Sequence, residues 1–162
     1  MQITRYGIRR IALGLAGLGL ALYVLAGGLL YVFQDKLVYR PYRELKAKPA
    51  DVGLDFQEAS FAAEDGVKLS GWYMPLAGSR GTVLFCHGNA GNISHLLEVA
   101  KGAHALNFGI LLFDYRGYGE SEGEPSERGT HLDAAAAWKY LVGEKGIDPG
   151  QIIVVGRSLG GP

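Results

Sequence analysis

Gln151-Ile152-Ile153-Val154-Val155-Gly156-Arg157-Ser158-Leu159-Gly160 is the stretch that decides the fold. Its first half is a compact apolar run that reads as a buried strand. A strand running straight into Gly-x-Ser-x-Gly is the pattern of a nucleophile elbow. Gly156 and Gly160 carry no Cβ where the chain turns sharply, so Ser158 can take a strained backbone position with its hydroxyl thrust outward. The backbone N–H of Leu159 would then face a developing oxyanion. Only Gly161 and Pro162 follow. The acid and base that activate such a serine come later in the chain in this architecture. The expectation is therefore a partial domain over 53–162, truncated just after the elbow and catalytically incomplete by itself.

A second match, Gly119-Glu120-Ser121-Glu122-Gly123, lies in a glycine-rich acidic loop without a strand directly before it or a helix directly after. Two flanking glutamates would also raise the pKa of Ser121. Context assigns the nucleophile to Ser158.

Outward from the elbow, the order of elements is that of an α/β protein. Phe56–Ala62 and Val67–Met74 are short runs joined at Glu64-Asp65-Gly66, a hairpin signal. Thr82–Cys86 and Ile110–Phe113 read as apolar strands. Asn92 reads as the N-cap of a helix reaching about Leu106, with Ile93, Leu96, Leu97 and Ala100 on one face. A second helix is expected from about Ser126 to Val142, and Asp148-Pro149 turns the chain into the strand before Ser158. Strand, helix, strand, helix, strand after a hairpin is the rhythm of a parallel sheet with crossover helices.

Acyl transfer needs a second oxyanion donor besides the Leu159 N–H. The loop His87-Gly88-Asn89, after an earlier strand, is placed to supply one, with the Asn89 N–H as donor. The plain alternative is that Asn89-Ala90-Gly91-Asn92 only turns the chain into its helix. Loop and elbow would both open at the carboxyl edge of the sheet, where open α/β folds place their sites.

Three segments in this order, His87-Gly-Asn-Ala-Gly-Asn92, Asp114-Tyr-Arg-Gly-Tyr-Gly-Glu-Ser121 and Gly156-Arg-Ser-Leu-Gly-Gly161, resemble the α/β-hydrolase superfamily. With the apolar N-terminus and Phe33-Gln-Asp-Lys-Leu-Val-Tyr39, the chain is most similar to its membrane-anchored branch, which includes α/β-hydrolase domain-containing protein 13 and bacterial serine aminopeptidase-like hydrolases. The resemblance implies the N-terminal half of an α/β-hydrolase sheet. It also implies Ser158 as nucleophile, Asn89 and Leu159 as oxyanion donors, and an Asp and a His further along. The implied activity is hydrolysis of an ester, thioester or amide through an acyl-enzyme, on a small-molecule or lipid-like acyl substrate. A non-catalytic membrane-bound scaffold of the same fold is the alternative.

Other residues read as structural. His87 reads as a loop-packing residue, and His95, His104 and His131 as solvated helix residues. Asp114 reads as a turn residue paired with Arg116, and Cys86 as core. No zinc-site spacing is present, and neither a metal nor a cofactor is expected.

Residues 11–33, Ile11 to Phe33, carry no formal charge and are long enough to span a hydrocarbon core. They follow a basic flank, residues 1–10, with Arg5, Arg9 and Arg10. A cleaved signal peptide with its site at Val24-Leu25-Ala26 is the alternative. A transmembrane helix is expected because apolar residues continue past that site to Phe33. Residues 34–52 then read as a basic connector holding the domain off the membrane, its cations facing anionic headgroups. Residues 1–50 hold eight Lys/Arg against two Asp/Glu, whereas the remainder holds eight against fourteen. The acidic half argues against nucleic acid. Basic residues flank both ends of the span, so the expected single-pass membrane location has no assigned orientation. The sequence does not set the oligomeric state.

Overall fold

The computed structural model describes residues 5–161, in two units that divide between residues 37 and 38. The first unit is the body of helix α1 (Arg5–Val38). It outruns the expected 11–33 segment at both ends because nothing interrupts it: the first proline is Pro41. From Gly7 to Val38 it is long and apolar enough to cross a membrane.

The second unit is an α/β layer. Its elements are β1 (Arg40–Pro41), β2 (Gln57–Ala62), β3 (Lys68–Met74), β4 (Thr82–Cys86), β5 (Ala90–Gly91), α2 (Leu97–Ala105), β6 (Gly109–Phe113), α3 (Glu127–Lys139) and β7 (Ile152–Gly156). The main sheet has five strands in the order β2-β3-β6-β4-β7. The hairpin β2–β3 and the pair β3–β6 are antiparallel, while β6–β4 and β4–β7 are parallel. The hairpin turns at Gly66, whose φ of 86° only glycine adopts easily.

Period-two alternation along the strands feeds two cores. Leu111 and Phe113 face one side with Leu84, Cys86, Ala137 and Leu141, under α3. Ile110 and Leu112 face the other with Trp72, Phe85, Leu97 and Ala100, under α2. Because all of β6 is buried between helices, it reads as a continuous apolar run rather than an alternating one. Cys86 is a buried core thiol.

The helix expected from Asn92 is broken in two. A single 3₁₀ turn, Ile93–His95, precedes α2. Asn92 caps that turn, its side-chain oxygen accepting from Ser94 N–H at 3.1 Å. The Asp114 carboxylate meanwhile accepts from Ile93 N–H at 2.9 Å. These bonds hold the turn in place before the α-helix begins.

Residues 39–48, read from the sequence as a polar connector, form a strap woven into this unit. Tyr39 is buried. β1 pairs in parallel with β5, and Arg40 N–H donates to Asn89 O at 3.1 Å. The Asn92 amide donates to Tyr42 O at 3.0 Å and Glu44 O at 2.7 Å. Arg43 donates to Ser121 O at 2.6 Å, and Lys46 N–H to Ser94 Oγ at 3.1 Å. None of these partners is near in sequence, which is why the strap was not legible there.

Candidate active site

Ser158 stands at the exposed end of β7, in the first position of a 3₁₀ turn that runs to Gly160. Its φ is +53°, left-handed for a residue with a Cβ, a conformation that costs about 1–2 kcal/mol and clusters at functional turns. The flanking glycines are steric requirements. A Cβ on Gly156 would strike the carbonyl of Gly160, and one on Gly160 would strike the carbonyl of Cys86. Arg157 N–H donates to Cys86 O at 3.0 Å, carrying the β4–β7 ladder into the turn.

The loop after β4 faces this serine. A Cβ on Gly88 would lie 3.7 Å from the Ser158 Cβ. His87, Gly88, Asn89, Asn92, His95 and Arg157 line, with Ser158, a cleft of about 280 Å³. Asn89 is fixed from three sides. Its side chain donates to Val38 O at 2.8 Å, and its carbonyl accepts from Arg40 N–H and, at 2.8 Å, from the Tyr118 hydroxyl. Leu159 is half-buried beside the core under α3.

His87 is built into the floor. It is buried between Tyr115 and Tyr118, with ring centroids 4.7 and 5.1 Å away. Tyr115 N–H approaches its Nε2 at 3.4 Å and Gly88 O lies 2.6 Å from its Nδ1, an arrangement satisfied by the neutral ring with the proton on Nδ1. Burial pushes its pKa down to about 4. Neither nitrogen is left to take a proton from a serine.

Asp114 corrects the sequence reading. It does not pair with Arg116. Arg116 instead binds Asp133 on α3 (2.8 Å) and Asp65 in the hairpin turn (2.7 Å), and both carboxylates hold its guanidinium firmly protonated. The chain turns between Asp114 and Arg116 and sends their side chains to different layers. Asp114 is fully buried, with Oδ1 3.5 Å from His87 Nε2 and Oδ2 without a hydrogen-bond partner. Burial raises its pKa to about 7.

Ser121 is a structural serine. It is fully buried, donates to Asp114 O at 2.6 Å and accepts from Ser70 N–H at 2.9 Å. Of the remaining histidines, His131 is exposed on α3 and His104 is half-buried on α2. His95 is exposed on the 3₁₀ turn and lines the cleft. Sequence reasoning missed that position because it placed His95 on a regular helix.

Residues 81–162 match the model of the α/β-hydrolase fold family, and the chain belongs to that family. It is 42% identical to the α/β-hydrolase domain-containing protein WAV2 of Arabidopsis thaliana, over 85% of this chain and 48% of that protein. It is 35% identical to bem46 of Schizosaccharomyces pombe, over 88% of this chain and 50% of the relative. Among solved structures, the Pyrococcus furiosus esterase Pf2001 superposes with a TM-score of 0.66 at 29% identity, covering 75% of this chain and 49% of the esterase. The chain thus spans about half the length of the relatives it matches.

Proposed function

We propose that these residues carry the nucleophile and oxyanion hole of a serine hydrolase that cleaves an ester, thioester or amide through an acyl-enzyme. Ser158 Oγ attacks the carbonyl carbon, and the N–H groups of Asn89 and Leu159 receive the oxygen as it becomes an oxyanion. Collapse expels the leaving group, and water then releases the acid. The observation that carries the reading is the left-handed Ser158 at the end of β7, facing the His87–Asn89 loop across the cleft. The esterase likeness of Pf2001 supports it.

Among the described residues no histidine is hydrogen-bonded to Ser158, and His87 is spent on the floor of the loop. The base and the acid that orients it are assigned to the half of the family's length that these residues do not span. The same observation favours the second reading, a non-catalytic membrane scaffold. In either case α1 is proposed as a single-pass anchor, on its length and apolarity.

Release of 4-nitrophenolate from short esters separates the two. A protein of the relatives' full length carrying this sequence should turn over, and Ser158→Ala should lower its kcat by a factor on the order of 10³–10⁶. These 162 residues alone should be near that residual level. A full-length protein no faster than its Ser158→Ala variant would overturn the hydrolase reading.

A further inference from the structure

Beside the catalytic cleft lies a second groove of about 390 Å³, lined by Arg40, Pro41, Tyr42, Lys46, Gly91 and His95. His95 belongs to both walls, so the groove begins where the Ser158 cleft ends. We infer that this groove holds an anionic group, a carboxylate or phosphate, at the far end of the acyl substrate attacked by Ser158. The inference rests on the hydrolase reading for the word substrate, and on the groove alone for the word anionic.

Three features point to an anion. Arg40 and Lys46 present only donors, beside a His95 ring whose Nδ1 faces the Asn92 backbone at 3.3 Å, and among the described residues neither Arg40 nor Lys46 is paired with a carboxylate. Lys46 Nζ instead lies 5.4 Å from the centre of the Tyr42 ring, which stands edge-on to His95 at 6.0 Å. The nearby Glu44 carboxylate accepts from the Tyr42 hydroxyl at 2.9 Å and is not part of the lining.

The backbone that carries these side chains is fixed. Arg40 is held by the β1–β5 pairing, Tyr42 O by Asn92 and by Gly119 N–H at 3.0 Å, and Lys46 N–H by Ser94. These bonds tie the backbone at Arg40 to Asn89 and the backbone at Lys46 to the Ile93–His95 turn, so an anion held by the two side chains lies at a set distance from the site of attack. Charge-assisted hydrogen bonds from two cations on a fixed backbone favour an anion over its neutral ester.

The test uses a protein of the relatives' full length carrying this sequence, in neutral detergent micelles. Monomethyl and dimethyl suberate, alike except for one carboxylate, are titrated by calorimetry, as are the adipate and sebacate pairs to find the preferred length. The monoanion should bind about tenfold tighter than its capped partner at one length, and Arg40→Gln with Lys46→Gln should erase that ratio. The exposed pair Arg128→Gln with Lys139→Gln, on α3, serves as a control for net charge. In parallel, 4-nitrophenyl esters of the same acids are followed by mass spectrometry. In that step the Ser158 Oγ–carbonyl bond forms as 4-nitrophenolate leaves and the serine proton passes to solvent. Equal binding of anionic and capped ligands, in every length, overturns the groove. Anion-selective binding without acylation of Ser158 by either ester leaves the groove standing and overturns the hydrolase reading. Loss of binding to phosphatidylglycerol vesicles in the double variant, with the ester pairs unaffected, would give the groove to a membrane surface and also overturn the substrate inference.

Discussion

At the scale of single residues, the buried pair of Asp114 and His87 gives the fold an opposed pH dependence. The Asp114 pKa rises from 3.8 to about 7, so the stability tied to its protonated form is lost as pH climbs through that range. The His87 pKa falls from 6.5 to about 4, so the stability tied to its neutral form is lost as pH drops through that range. Between pH 4 and 6.5 the two slopes nearly cancel. Asp114→Asn removes one of them and keeps an oxygen for Ile93 N–H. Its unfolding free energy should therefore gain on the wild type by up to about 1.4 kcal/mol per pH unit from pH 5 towards 7. Urea titrations at several pH values check this, and parallel curves for the two proteins would refute it. The elbow was legible as a pattern, Gly-x-Ser-x-Gly after an apolar run, and the clash of a Cβ on Gly156 with Gly160 O is local. Asp114 was misread because Asp-Tyr-Arg-Gly offers an acid and a base within reach along the chain. Only the layers show that Arg116 finds Asp133 and Asp65 first.

At the scale of elements, the strands were the readable part. Thr82–Cys86 has the bounds expected of it, and the neighbouring strands differ by a residue. Each is an apolar run bounded by turn formers, and such runs state their own ends. The turn at Ile93–His95 was not readable, because what shortens α2 is a carboxylate 21 residues away on the loop after β6. The elbow depends on backbone proximity in the same non-local way. Gly160 sits so close to Cys86 O in β4 that a methyl group there must push the turn off the strand. Gly160→Ala should therefore cost about 2–3 kcal/mol of stability, in the range of an overpacked interior site. It should also remove Ser158 from register with the His87–Asn89 loop. A thermal melt within a degree of wild type would mean that the turn yields freely and that its geometry is not the source of the strained serine.

At the scale of the whole molecule, two cuts follow from the two units. If α1 is an anchor, the protein should stay in the membrane pellet through carbonate washing and keep its N-terminus. Recovery of a soluble form starting near Gly27 would make the segment a signal peptide. The second cut concerns where the α/β unit begins. Composition places its start near residue 53, after the last basic residue of the connector. The hydrogen bonds place it at residue 38. A chain starting at residue 50 loses β1, the buried Tyr39 ring and both acceptors of the Asn92 amide. Asn92 is 2% exposed beneath the strap, and the truncation trades its two amide hydrogen bonds for bonds to water, at about 0.5–1.5 kcal/mol each. Losing the cover over Tyr118 and the Asn89 carbonyl adds to it. Both truncations keep the bare apolar edge of β7, where Val154 is 55% exposed, so any tendency of that edge to template association is common to both. Residues 38–162 should therefore melt at least several degrees above residues 50–162, in the same buffer and at matched concentration. Sedimentation velocity run alongside distinguishes unfolding from association. Coincident melts would show that the strap merely lies on the unit, and the His87–Asn89 loop would then owe its shape to Asp114 and Tyr118 alone.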